Sequence, residues 1–558
     1  MKTLSTLLLA AILFFAQCQP ATNNEAETAK PLAKPFVWEN ATIYFLLTDR
    51  FNNGNPDNDF SFGRKQDGAP LRNFMGGDLR GVIQKLDEGY FDKLGVDVIW
   101  TTPVFEQIKG SVDEGYGQNY GYHGYWMRDW TAIDPNFGTI EDFKELVHKA
   151  RAKGIKIMMD VVLNHTGPVS DIDSQWPDEW VRTGPKCEFQ SYESTVTCTL
   201  VENLPDIRTE SDEAVKLPPF LVEKWEAEGR LEQELAELDA FFERTGHPRA
   251  PRFYIMKWLT DYIRELGIDA FRVDTVKHVE ESVWGELYAL CVEALDTWRT
   301  ENPDQKMDDE PFFMLGEVYN YSIFNGKPYT MDGGEVDIDY YDEGFKSLIN
   351  FSFRSDVTNT AKEIFAKYDS TLNSDTWSGL TTVNYIASHD DGTVPDKERT
   401  NIKDFATKLL LNQGIVQIYY GDETARPLVH PEAEGDADLR TFMNWEELKA
   451  DPAIQEVLVH WQKIGAFRKN HPAIGAGTHT TITEVPYTFQ RSYQKGDYSD
   501  KVVVSLTEQA ESTSVAVGSV FKDGDQVRDA YSGKVYTVES GKVKVEESTG
   551  IILLEVAQ

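Results

Sequence analysis

Between Ala41 and about Lys469, short apolar and β-branched runs alternate with longer stretches whose apolar positions recur every three or four residues. The short runs predict strands at Thr42–Thr48, Val96–Thr101, Lys156–Val161, Ile268–Val273, Phe312–Gly316, Glu335–Asp339, Thr381–Ala387 and Ile415–Tyr420. The amphipathic stretches predict helices, among them Thr139–Lys153, Tyr254–Leu266, Val283–Thr300 and Ile402–Asn412. Eight strands alternating with helices define an α/β chain, a (β/α)₈ TIM barrel. One connection is far too long for an ordinary loop. It runs from Asn164 to Arg252, between the third and fourth strands, carries the charged helical segment Leu221–Thr245, and reads as an inserted subdomain. After Pro472 the texture changes to short alternating strands (Val502–Leu506, Gly541–Glu547, Ile551–Val556), which predict a C-terminal β-sandwich.

The start of the chain follows a different pattern. Lys2 precedes the apolar run Leu7–Ala16 and Cys18, a basic start and short apolar core that make a secretory signal too short to span a membrane. Phe15-Ala16-Gln17-Cys18 also resembles a bacterial lipoprotein box, in which Cys18 is the lipidated first residue of the mature chain. Gln17 departs from the small residue usual there, and a plain signal with an incidental cysteine is the alternative. The polar stretch after it reads as a tether. The expected division is a signal over 1–17, a flexible tether over 18–35, the barrel over 36–164 and 252–470, the insertion over 165–251 and the sandwich over 471–558. Export to the cell surface or periplasm as a lipoprotein, or secretion, follows from it.

Composition narrows the partners. The 558 residues exceed what one core sustains, and 41% of them are apolar, ample for a large domain with attachments. Against 55 Lys and Arg stand 92 Asp and Glu, a formal net charge of −37 that repels phosphate backbones and anionic lipid. Nucleic acid is excluded on that ground, and membrane contact is left only to an N-terminal lipid anchor. A neutral polysaccharide is indifferent to the charge, which is read as adaptation to a salty medium. Of the four cysteines, Cys291 falls in a helical pattern where a buried thiol is expected, and Cys187 and Cys198 lie close in a loop-rich stretch suited to a disulfide. No Cys or His partner stands at zinc-ligand spacing.

The chemistry concentrates at the C-terminal ends of the predicted strands, where a barrel of this kind holds its active site. The third strand ends Asp160-Val-Val-Leu-Asn164-His165 and the fourth reads Arg272-Val-Asp274-Thr-Val-Lys277-His278. The fifth ends Gly316-Glu317 and the seventh Ser388-His389-Asp390. Arg272 and Asp274, two apart on a strand, point to one face, so the arginine can hold the aspartate ionised.

In order and spacing these segments resemble the signature regions of the α-amylase family of retaining glycoside hydrolases. So do Gly95–Pro103, Asn203-Leu-Pro-Asp206 and Gly414–Glu423, and the likeness spans nearly the whole barrel. Ile43–Phe51, Asp274–Val279 and Tyr122–Trp126 are closest to fungal-type α-amylases. The resemblance implies that Asp274 is the nucleophile, Glu317 the acid/base and Asp390 a third carboxylate that stabilises the distorted sugar. It further implies that His165 and His389 bind hydroxyls of that ring, that Tyr125 stacks beneath it, and that His123 and Trp126 line the pocket. Lys277 and His278 would meet the leaving-group sugars. Core filler is the other reading of Trp126, and a solvated charge that of Lys277. Asp160 reads as a structural partner beneath the floor.

Calcium is implied at two places. Asn164, Asp206 and the backbone carbonyl of His278 match the ligands that pin the insertion to the barrel. Asn53, Asn55, Asn58 and Asp59, with Gly76 and Asp78, match a second site of cyclodextrin-forming relatives, a metal-free turn being the alternative. The expected activity is hydrolysis of α-1,4-glucans such as starch, glycogen or maltooligosaccharides by a monomer. The rivals are a glucanotransferase or cyclomaltodextrin hydrolase of the same family and, in another class, a non-catalytic starch-binding lipoprotein. Asn203-Leu-Pro-Asp206 is the α-amylase form of that segment, and all three carboxylates are present.

Overall fold

The structure is a computed structural model that describes residues 34–331, 333–507 and 512–557. The expected signal, Cys18 and nearly all of the expected tether lie outside the described residues. Phe36–Gln558 form one compact unit.

Eight parallel strands close into a barrel in sequential order: Thr42–Leu46, Val98–Thr101, Lys156–Val161, Ala270–Val273, Phe313–Gly316, Ser347–Asn350, Thr381–Asn384 and Ile415–Tyr419. The first strand pairs with both the second and the eighth. Every residue of the first, third and eighth strands is buried, because helices cover the outside while side chains fill the inside. Helices Ile140–Ala152, Pro251–Leu266, Glu281–Glu301 and Ile402–Leu410 occupy the expected stretches. Gly267 ends one of them: it caps Pro251–Leu266 at φ 68°, and a Cβ there would lie 2.4 Å from the Trp298 ring.

The sixth strand is a correction. Glu335–Asp339 alternates Val and Ile with acids, yet only Asp337–Ile338 is extended, paired with Tyr329–Thr330 in a surface hairpin. The barrel strand is Ser347–Asn350, whose polar ends concealed it. Its asparagine is satisfied inside the fold, because Asn350 Nδ2 donates to Tyr368 Oη at 2.9 Å and to Asn384 Oδ1 at 3.0 Å. The charged segment Leu221–Thr245 is likewise two helices, Pro219–Ala227 and Leu231–Thr245, parted at Gly229 with φ 73°.

The insertion rests on the barrel through tryptophan. The Trp180 and Trp258 rings are parallel at 6.1 Å, Trp130 and Trp258 at 6.4 Å, and Trp225 meets Trp258 edge-on at 6.2 Å. Cys187 and Cys198 are bridged, their Cα atoms 5.0 Å apart. Closing so short a loop contributes about 3 kcal/mol by restricting the unfolded chain. Cys291 is a buried free thiol.

The C-terminal region is a six-stranded antiparallel sheet faced by the pair Thr513–Ala516 and Lys542–Val545. Val503, Val527, Ile552 and Leu554 from the large sheet pack with Val515, Val543 and Val545 from the pair. Where this sheet meets the barrel, His471 lies between two acids, Nδ1 2.9 Å from Asp500 and Nε2 2.6 Å from Glu555. Both acceptors are carboxylates, so both ring nitrogens carry protons. No helix among the described residues is long and apolar enough to cross a membrane.

Candidate active site

Strand register assembles the centre. Arg272 pairs with Asp160 on the third strand and with Leu315 on the fifth, two residues before Glu317. The guanidinium therefore reaches three carboxylates. Its Nη1 donates to Asp160 Oδ1 at 2.9 Å and to Asp274 Oδ1 at 2.6 Å, and its Nη2 lies 3.1 Å from Glu317 Oε2. Beneath this cluster, Asp160 Oδ2 also accepts from Trp100 Nε1 at 2.9 Å and from the Tyr125 hydroxyl at 2.8 Å. Asp160 is thus used up in positioning, below the cleft floor.

The same cluster separates the carboxyls by their charge. Burial pushes Glu317 up to about 8; Arg272 pulls the other way, and the negative Asp274 adds to the rise. Asp390 moves oppositely: burial would raise it, but His389 and Arg440 outweigh that and hold it well below the carboxylate range. One carboxyl is kept protonated near neutrality and another ionised within one cleft, the arrangement that acid–base chemistry needs. Thr275, next to Asp274, sits at φ 50°, an unfavourable region for a β-branched residue. That bend aims its N–H at Glu317 Oε2, 3.0 Å away.

The cleft above has a volume of about 580 Å³, within the usual range for small-ligand sites. Asp274, Glu317, Asp390, His123, Tyr125, Trp126, His165, Lys277 and His278 all line it. His389 lines a recess beside it, with Nε2 2.9 Å from Asp390 Oδ2. The Tyr125 and His389 rings stack 5.1 Å apart and 9° from parallel. Burial keeps His123, His165 and His278 neutral at ordinary pH, His278 falling to about 4. Trp126 packs on Ile108 and Leu204 as well as facing the cleft. Lys277 Nζ donates to the Tyr329 hydroxyl at 3.1 Å.

Sequence reasoning missed several wall residues. Arg440 pairs with Asp390 and donates from Nε to the His389 carbonyl at 3.1 Å. Phe189, from the disulfide loop, and Tyr319, two residues after Glu317, place exposed rings at the cleft. Glu114 and Asp436 add acid at its rim. Only Tyr319 was near enough to a recognised segment to be found.

Among the described residues, no three His, Cys, Asp or Glu side chains converge as a metal-binding group. The two sets expected to hold calcium rely instead on amide and backbone oxygens. At the first, Asn164 Oδ1 is buried without a partner, and Asp206 follows it closely across the bridge from His165. Asp206 is pushed well up by burial; Arg182, 2.8 Å away, offsets this, while Glu280 and Glu210 add to it, so further positive charge is favoured there. His278 sits nearby, its Nδ1 3.0 Å from the Thr195 carbonyl. At the second set, Asn53 Oδ1 and Asn58 Oδ1 are buried without partners. Asn53 Nδ2 donates to Asp59 at 2.9 Å, and a Cβ on Gly76 would strike both residues. Asn55 and Asp78 shape the loop: Asn55 Oδ1 accepts from Asp57 N, and Asp78 accepts from three backbone N–H groups. Orphaned oxygens of this hardness fit calcium at both places.

Comparison with known proteins bears on this cleft. Residues 45–475 match the family described as Alpha amylase, catalytic domain. A periplasmic alpha-amylase of Escherichia coli is 35% identical over 531 residues, covering 84% of this chain and 72% of that protein. An alpha-amylase of Streptomyces lividans is 27% identical, covering 84% of this chain and 54% of its own length. A cyclomaltodextrin glucanotransferase of Geobacillus stearothermophilus is 25% identical, with 85% and 60% covered. The chain thus spans little more than half the length of the last two. Among solved structures, an Anoxybacillus alpha-amylase superposes with TM-score 0.63 at 24% identity, covering 94% of this chain and all of that one, a likeness of fold.

Proposed function

Because this chain belongs to the α-amylase family of glycoside hydrolases, we propose that it hydrolyses α-1,4-glucosidic bonds in starch, glycogen or maltooligosaccharides by two displacements at the anomeric carbon. The observation that carries this reading is the single guanidinium of Arg272 spanning Asp274 and Glu317, with Asp390 lining the same cleft. Asp274 attacks the anomeric carbon while Glu317, protonated, gives its proton to the departing oxygen. Glu317 then takes a proton from water as that water displaces Asp274. Asp390, fixed in the ionised form by His389 and Arg440, binds hydroxyls of the distorted ring and stabilises its developing positive charge. His123 and His165, neutral, bind hydroxyls of that ring, and Tyr125 with His389 gives it a flat wall. Lys277, His278, Phe189 and Tyr319 receive the leaving-group sugars.

Hydrolysis is favoured over glycosyl transfer because the relative at 35% identity is named an α-amylase, while the glucanotransferases match at 24–27%. All three carboxylates are present, which speaks against a merely starch-binding protein. The periplasmic placing of that relative supports export, with Cys18 as the proposed anchor.

Two inversions give net retention, so the product should first appear as the α-anomer. Proton NMR of early product from a maltooligosaccharide, read before mutarotation, tests this; a predominant β-anomer would sink the mechanism.

Calcium would be held by Asn164, Asp206 and the His278 carbonyl, and by the Asn53–Asp59 loop with Gly76 and Asp78, and would supply structural charge that steadies these loops. Excess chelator is then expected to lower the melting temperature and added calcium to restore it, because the ion binds only the folded chain. Calorimetry checks this. An unchanged curve in protein shown by metal analysis to be calcium-free would mean that neither loop holds the ion.

A further inference from the structure

The far end of the barrel, where it meets the C-terminal sheet, buries two arginines without a carboxylate between them. Arg468, on the helix Pro452–Asn470, is fully buried. Its Nε donates to the Asn40 carbonyl at 3.1 Å, Nη1 to those of Leu410 and Asn412 at 3.0 and 2.8 Å, and Nη2 to that of Gly414. These carbonyls precede the first and eighth strands, so the junction lies at the opposite end from Asp274 and Glu317.

Arg491, on Tyr487–Lys495, is equally buried, yet its Nε, Nη1 and Nη2 have no hydrogen-bond partner among the described residues. The rings of Phe365 and Phe489 lie 5.7 and 5.6 Å from its guanidinium carbon. Asp369 is the carboxylate whose charge reaches it, but Asp369 Oδ1 instead accepts from the His479 N–H and from Asn373 Nδ2, each at 2.7 Å. His479 stands directly opposite Arg491 in the strand register. Burial and the nearby arginine push its ring down to about 3, so it is neutral. Its Nε2 pairs with the hydroxyls of Tyr487 at 3.0 Å and Thr481 at 3.5 Å, either of which can donate or accept, and its Nδ1 has no partner.

The unsatisfied atoms on Arg491 are therefore three donors on a guanidinium that keeps its proton, and the His479 tautomer whose hydroxyl partners donate to Nε2 adds a fourth at Nδ1. A buried cation that no acceptor meets, and whose one charge partner Asp369 is spent on other donors, is unfavourable, and the neighbouring positive Arg468 makes it more so. A water molecule would accept some of these bonds and leave the charge offset by Asp369 alone. We propose that this junction binds a small monovalent anion of the size and charge of chloride, held by the Arg491 guanidinium and His479 Nδ1–H, and that the ion fastens the C-terminal sheet to the barrel. Complete burial between aromatic rings disfavours sulfate or phosphate, whose dehydration is far costlier.

The test is the melting temperature of the full chain, dialysed free of halide, in sodium chloride against sodium gluconate at equal ionic strength. Chloride should raise it saturably, by roughly 2–3 °C at about a hundredfold excess over the dissociation constant. In Arg491→Met the rise should vanish while turnover of maltooligosaccharide stays at the parent's value. Equal melting temperatures in the two salts overturn the proposal, and so does a chloride effect that persists in R491M. Bromide-soaked crystals of the unaltered protein give a readout that does not depend on the variant folding. An anomalous peak within hydrogen-bond range of the Arg491 guanidinium is expected, and a water or empty density there overturns the proposal equally.

Discussion

An Asp274→Asn protein is expected to fold as the parent does and to lose at least about a thousandfold in kcat on maltooligosaccharides. Asparagine keeps the shape but cannot form the covalent intermediate. The fold should tolerate the change because Arg272 retains two other partners, Asp160 at 2.9 Å and Glu317 at 3.1 Å. A circular dichroism spectrum and melting curve like the parent's, measured beside turnover, would separate lost chemistry from lost structure. Activity within about tenfold of the parent would mean that another group attacks the sugar.

Glu317→Gln should lower turnover of unactivated glucans by roughly 10²–10⁴-fold and change its pH dependence. In the parent the acid must carry its proton, so kcat/KM should fall as pH rises through the raised value of about 8. Glutamine has no proton to lose, so that alkaline limb should disappear. With an aryl maltooligoside whose leaving group needs no protonation, the first displacement should stay fast in E317Q and the second should limit. A burst of phenolate followed by slow turnover would report it. An alkaline limb persisting at the same midpoint would assign the acid to a different residue.

The barrel was legible because its strands are short, β-branched and punctuated, and because helices between them keep a period near 3.6. The sixth strand was not, since Ser347 and Asn350 read as loop residues until Tyr368 and Asn384 are seen to satisfy them. Asp274, Glu317 and Asp390 could be singled out because the first two stand just past strand ends and the third in the loop after one, each beside residues that recur with it. Arg440 could not: it ends a short 3-10 helix, Ala437–Arg440, in the connection after the eighth strand, and its meaning exists only through the fold that brings it to Asp390. The same holds for Phe189, whose ring reaches the cleft on a loop cinched by Cys187 and Cys198. Arg491 was invisible for the opposite reason, because its place in an alternating strand gives no hint that its guanidinium finds no acceptor.

In the mechanism proposed above, the guanidinium of Arg272 also lets one carboxyl serve at both halves of the cycle. While Asp274 is ionised, its negative charge helps keep the proton on Glu317. Once Asp274 is esterified to the sugar that charge is gone, whereas the pull of Arg272, 3.1 Å from Glu317 Oε2, remains. The affinity of Glu317 for its proton drops at the moment when the proton has just been given away and a base is wanted. As the second displacement frees Asp274, the repulsion returns and Glu317 is recharged. On that mechanism the proton inventory of the cleft would be timed by the making and breaking of the bond at Asp274.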